Sequence, residues 1–274
     1  MRIPILLSVL TLCLALLADE STKPKMTILQ TPSGVRFGIL GDKPAAPAPT
    51  LFVFAGTLET SLGDDNYIKM GLLVAKEGFL CVSLDAPCHG ADQKPGEPSG
   101  LEGWRARLEK GDDFLAAFNA KASKVLDYLI QERYTDPQKI AAAGTSRGGF
   151  LALHFAASDP RVKYVAAFAP VINLLALREF HGLEKHQLTQ ALTLTNFADK
   201  LAGRAFWVCI GNNDQRVGTD YTIAFTRKLT EVAVARDKPA NIELHVMPTV
   251  GHSIHPTAHD EAAAWLLRQI SQAK

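Results

Sequence analysis

The chain has 274 residues, of which 29 are Lys or Arg and 28 Asp or Glu, giving a formal charge of +1. That balance, spread without long runs of one sign, excludes the basic footprint of a nucleic-acid binder. With 47% hydrophobic residues the sequence can bury a large core within the size of one catalytic domain. In chain order, Met1 and Arg2 followed by the apolar run Ile3 to Leu17 read as a signal peptide, 1–18, cleaved after Ala18. The remaining 19–274 are then expected as the mature domain of a secreted or periplasmic protein. The run is short for a spanning helix, so no stable membrane insertion is expected after cleavage.

Residues 26–40 suggest a hairpin, and the Pro- and Ala-rich stretch Lys43 to Thr50 a surface connection into the strand Leu51 to Phe54. Further buried strands are predicted near 79–84, 139–143, 163–168, 205–210 and 241–247. Helical patterns fall near 65–77, 112–133, 148–157, 219–235 and 257–272. Single strands alternating with single helices are what a mostly parallel sheet needs, because parallel neighbours require crossover connections. The predicted fold is therefore α/β, doubly wound, with helices on both faces.

Two stretches break the alternation. Gly90 to Lys110 carries Trp104, Arg105 and Arg107, an aromatic and two guanidiniums that could hold a sugar face or a substrate carboxylate. A solvated helix start explains them as well. Ala169 to Arg204 is longer than a crossover helix needs and is expected to form a small cap, 169–204. Phe180 and His181, with Leu183 and His186, are candidates to line a pocket there, or simply to pack the cap onto the body. Cys81, Cys88 and Cys209 follow the leader. Cys81 and Cys209 lie in apolar strand runs as small buried residues, and a Cys81–Cys88 disulfide is an open alternative in an oxidising compartment. No spacing suggests a metal site, and no cofactor is called for.

The chemistry is concentrated in Gly144-Thr145-Ser146-Arg147-Gly148-Gly149, set between a short apolar strand and a small-residue helix. G-x-S-x-G in that setting is a nucleophile elbow: the serine must hold strained backbone angles, and the positions two residues either side must be small. The turn lifts the Ser146 hydroxyl above the sheet edge and aims the first N–H groups of the helix at it. A serine needs a base and the base an orienting acid. Asp214 follows the strand Phe206 to Ile210, with Asp220 as a competitor better suited to a first helical turn. His252 follows Gly251 beyond the last strand, with His255 and His259 as competitors nearer to or inside the last helix. Ser146, Asp214 and His252 thus occur in the order Ser, Asp, His, each just past the carboxyl end of a strand. His89 precedes the nucleophile and reads as structural or as pocket wall.

The chain resembles the α/β-hydrolase superfamily, and within it the dienelactone-hydrolase and prolyl-oligopeptidase-like serine esterases. The resemblance is carried by GTSRGG around Ser146, GNNDQRV around Asp214, VGHS around His252, and LDAPCHG at Leu84 to Gly90. The last is similar to a frequent D-x-P-G-H-G stretch, with Cys88 in place of a glycine. It implies an α/β-hydrolase fold and an oxyanion hole made by the N–H groups of Arg147 and of Thr57, in the loop Ala55-Gly56-Thr57 where the family often has a histidine. The expected activity is hydrolysis of a small-molecule or polymer-derived ester. An aminopeptidase-like or other amide hydrolase with the same triad, and a catalytically silent binding protein of this fold, remain as alternatives.

Overall fold

The computed structural model describes residues 24–272; the signal peptide expected over 1–18 lies outside the described residues. Eight strands form one sheet: β1 Met26–Gln30, β2 Arg36–Leu40, β3 Ala48–Phe54, β4 Leu80–Ser83, β5 Thr135–Thr145, β6 Val162–Phe168, β7 Ala205–Asn213 and β8 Ile242–Val250. They are ordered β1-β2-β4-β3-β5-β6-β7-β8. β1 and β2 are the expected antiparallel hairpin, with Met26 opposite Leu40, and β2 also runs antiparallel to β4. All other neighbours are parallel. This is the α/β-hydrolase fold.

The connecting helices are α1 Leu58–Gly63, α2 Asp65–Ala75, α3 Gly100–Glu109, α4 Phe114–Gln131, α5 Arg147–Ser158, α6 Gln187–Ala191, α7 Ala198–Leu201, α8 Thr219–Ala235 and α9 Ala258–Gln272. Both faces of the sheet are covered, so its central strands carry continuous buried apolar runs, Leu51 to Phe54 in β3, Ile140 to Ala143 in β5 and Tyr164 to Phe168 in β6, and not an alternating pattern. In β3, Phe52 and Phe54 point into one core with Phe150 and Phe155 of α5, while Leu51 and Val53 point into the other with Trp207 and Trp265. Gly71 lets α2 sit close on that second core: a Cβ there would come within 3.1 Å of the Cys81 sulfur.

Sequence periodicity finds α8 at its full extent and places α4, α5 and α9 to within a residue or two at each end. It misses the start of β5, which begins at Thr135 because that residue pairs with Ala48 and its hydroxyl bonds the Thr50 hydroxyl at 2.8 Å. It also misses α1, six residues long and defined by its caps more than by any apolar stripe. Thr57 accepts from the Thr60 N–H at 3.1 Å, and Asp64 accepts from the Asn66 N–H at 2.9 Å to start α2.

The stretch 169–204 contains 3₁₀ turns and the short helices α6 and α7, with no full crossover helix. The possible Cys81–Cys88 disulfide is not formed. Both residues are free and buried, as is Cys209, and Cys81 lies in the core on one side of the sheet while Cys88 lies in the core on the other. Among the described residues no helix is long and apolar enough to cross a membrane.

Candidate active site

The turn between β5 and α5 holds Ser146 at φ 56°, ψ −117°, a left-handed conformation that an L-residue adopts only when its surroundings impose it. The surroundings are glycines. A Cβ on Gly144 would lie 2.2 Å from the Gly148 carbonyl, one on Gly148 would lie 1.8 Å from the Phe54 carbonyl oxygen, and one on Gly149 would lie 2.8 Å from Pro170. The elbow is then tied to β6, since the Ser146 N–H donates to the Phe168 carbonyl at 2.8 Å and the Ser146 carbonyl accepts from Val171 at 3.1 Å.

Asp214 sits where β7 gives way to the loop before α8. Thr219 shapes that loop: its hydroxyl accepts from the Asp214 N–H at 3.0 Å and donates to the Gly211 carbonyl at 2.7 Å. The Asp214 Oδ1 accepts from the N–H groups of Arg216 and Val217 at 2.9 and 3.2 Å. Its Oδ2 faces His252, 2.8 Å from Nδ1, while His252 Nε2 lies 2.9 Å from Ser146 Oγ. Gly251, at φ 71°, turns the chain so that His252 reaches both, and its N–H bonds the Asn213 carbonyl at 3.1 Å. Burial opposes ionisation of Asp214, but the His252 contact and the two N–H donors outweigh it and hold the carboxyl below the usual aspartate range. An ionised carboxylate only accepts, so the proton of His252 belongs on Nδ1 and the Nε2 lone pair faces the serine hydroxyl.

The competitors are placed elsewhere. Asp220 is an exposed acid in the first turn of α8, His255 bonds the Thr257 hydroxyl, and His259 lies buried against Phe168.

Beside Ser146 opens a cavity of about 630 Å³, walled among others by Ala55, Tyr67, Arg147, Arg216, His252 and Ile254. The N–H of Arg147 begins α5, and neither it nor the N–H of Thr57 enters a hydrogen bond among the described residues. Thr57 caps α1 and is not part of the cavity wall; Ala55, two residues earlier in the same loop, is. The loop is fixed from three sides. Asp85 Oδ1 accepts from the Leu58 N–H at 2.9 Å, the Gly56 carbonyl accepts from Ala86 at 2.9 Å, and the Ala55 carbonyl accepts from Arg147 Nε at 3.0 Å. The His89 imidazole packs on Gly56, where a Cβ would stand 3.3 Å from it, and bonds the Pro87 carbonyl through Nδ1. Cys88 adopts φ 59° at the position where the motif usually has glycine.

The four residues proposed from sequence to bind substrate do not line this cavity. Trp104 is fully buried in the core, its indole N–H donating to the Pro87 carbonyl at 2.6 Å and its ring packed on Phe114. Phe180 is also fully buried. Arg105 spends its guanidinium on Glu109 and on the carbonyls of Glu179 and His181, and His181 itself is exposed. Arg107 is equally committed, to Asp92 at 2.8 Å and Glu97 at 2.7 Å. The cavity is built instead from side chains that sequence reasoning passed over. Arg216 was visible two residues after Asp214, and the Arg147 side chain directly after the serine, whereas Tyr67 reaches the site only through the placing of α2. Among the described residues no cluster of His, Cys, Asp or Glu could hold a metal ion.

Residues 120–272 match the prolyl oligopeptidase family, from within α4 to the end of α9 and therefore across Ser146, Asp214 and His252. The chain belongs to the prolyl oligopeptidase family. Solved structures agree on the fold. TT1662 from Thermus thermophilus superposes with a TM-score of 0.69 at 18% identity, covering 92% of this chain and all of that one. The acetyl xylan esterase from Paenibacillus sp. R4 gives 0.64 at 18%, over 88% and 82% of the two chains. Dipeptidyl peptidase 4 from Porphyromonas gingivalis gives 0.64 at 18%, over 89% of this chain but 35% of that one. No curated protein matches in sequence. As a member of the prolyl oligopeptidase family with this fold, the chain is a serine hydrolase.

Proposed function

We propose that this serine hydrolase cleaves carboxylic esters through an acyl-enzyme on Ser146. The observation that carries the reading is the unbroken relay from Ser146 Oγ through His252 to Asp214 at the wall of an open cavity. His252 Nε2 takes the serine proton as Oγ attacks the acyl carbon, and Asp214 keeps the imidazole in the required tautomer and stabilises its cationic form. The Arg147 N–H receives the tetrahedral oxyanion, with the unbonded N–H of Thr57, set back from the cavity wall, as the second donor. His252 returns the proton to the leaving alcohol, and water, deprotonated by His252 in turn, attacks the acyl-enzyme and releases the acid and Ser146.

Support for an ester comes from likenesses to acetyl xylan esterases that span most of both chains, against 35% of the dipeptidyl peptidase. The family match favours one alternative, amide cleavage by the same machinery. Ser146→Ala is expected to abolish hydrolysis of short 4-nitrophenyl esters while circular dichroism and thermal midpoint stay as in the parent. Full activity in that variant would remove the mechanism. Turnover of aminoacyl anilides above that of esters would decide for the amide reading. Export belongs to the same proposal: the amino terminus of the mature protein should be Asp19.

A further inference from the structure

The cavity beside Ser146 carries a positive charge that no carboxylate of the described residues pairs with. The Arg147 guanidinium donates through Nε to a neutral carbonyl, that of Ala55 at 3.0 Å, and its two terminal nitrogens have no acceptor among the described residues. The other cations of the wall are matched. Lys69 pairs with Asp260 at 2.6 Å, and Arg216 grips Glu179 with both terminal nitrogens, at 2.7 and 2.6 Å. Asp65 also lines the cavity and is exposed, in the first turn of α2.

Burial lowers the pKa of Arg147; Tyr67 and Glu179 work against that and Arg216 adds to it. An arginine in such a place still stays protonated. A half-buried guanidinium with an open bidentate end and no carboxylate partner is an unfavourable arrangement until an anion fills it. The side chains that sequence reasoning offered for this role, Arg105 and Arg107, are engaged elsewhere.

We propose that the cavity selects esters bearing a carboxylate, held by the two terminal nitrogens of Arg147. The inference rests on the ester-hydrolase reading of the same cavity. The carboxylate can belong to the acyl or to the alcohol half, and two matched pairs of substrates separate them: 4-nitrophenyl hydrogen glutarate against 4-nitrophenyl valerate, and 4-acetoxybenzoate against its methyl ester. Each rate is normalised to the spontaneous hydrolysis of the same compound.

The charged member of at least one pair should have kcat/KM about ten-fold or more above its neutral partner, mainly through KM, as a charged hydrogen-bonded pair predicts. In Arg147→Gln that ratio should fall to near one, and in Arg147→Lys it should be partly kept. The ratio is the readout, so a general loss of activity does not imitate the result.

Neutral esters turned over with no preference in either pair, or a preference unchanged in Arg147→Gln, overturns the inference and leaves the hydrolase reading standing. No turnover of any of the four esters overturns both. If Arg147→Gln does not fold, glutarate and glutaramide are compared as inhibitors of valerate-ester hydrolysis by the parent protein. Glutarate should inhibit about ten-fold better; equal inhibition overturns the inference.

Discussion

Asp214 is placed to hold its charge and not to exchange it. Three donors converge on its two oxygens, and its side chain is fully buried. Asp214→Asn keeps the shape but puts an amide where Nδ1–H must donate, which favours the imidazole tautomer with its proton facing Ser146. The expected loss in kcat is about 10⁴-fold with little change in fold, read from steady-state kinetics beside circular dichroism. Ser146 shows the same economy of surroundings. Its backbone strain, of order 1–3 kcal/mol, is held in place by neighbours that have no side chain to spare. Both residues could be read from the sequence because each stands in a short motif whose spacing is dictated by local geometry. Arg147 and Arg216 could not be given their places that way, since the direction of a long side chain depends on what packs beside it.

At the level of elements, the elbow and the loop opposite it carry the tightest constraints. Gly148→Ala would drive a methyl group to 1.8 Å from the Phe54 carbonyl oxygen, in the middle of the sheet. It is expected to yield no soluble protein or to lower the thermal midpoint severely. Asp85 fastens the loop after β3, with Oδ1 on the Leu58 N–H and Oδ2 on the Ala91 N–H at 3.0 Å and on Arg36 at 3.3 Å. In Asp85→Asn the amide nitrogen must oppose one of these donors. The loop should loosen, lowering kcat by up to about 10²-fold with KM little changed, the signature of a weakened oxyanion donor.

The segment before α3 is held by Arg107, whose bonds, against some burial, push the Glu97 carboxyl down to about 2. Its pKa is depressed by folding, so the stabilisation is present above the ordinary glutamate value of about 4.3 and is lost as pH falls from there through about 2. Acid titration followed by proteolysis of the 90–110 segment should show the parent opening in that window and Glu97→Gln already open above it. Trp104, Arg105 and Phe180 were misplaced from sequence for one reason: composition tells that a loop carries aromatics and guanidiniums, while only packing tells that the indole faces the core and the Arg105 guanidinium is used on carbonyls of the neighbouring loop. The helices and parallel strands were legible because their periodicity is fixed by the sheet they cover; α1, made by its caps, was not.

For the molecule as a whole, the three cysteines of the described residues behave as core side chains, with burial pushing each thiol up to about 12. A reductant should therefore leave the thermal midpoint unchanged, and a thiol reagent should reach these sulfurs only in denaturant; rapid labelling of the native protein would contradict the packing. Arg216 gives the molecule a different kind of connection. It shares a loop with Asp214 and Val217, and its two-pronged bond to Glu179 reaches across to the segment that leads into α6. Whatever rearranges that segment tugs on the loop of Asp214, so the stretch 169–204 is not an exchangeable module. A chimera that imports it from a relative must bring an acidic side chain to the place of residue 179, or it inherits a bare guanidinium two positions from Asp214.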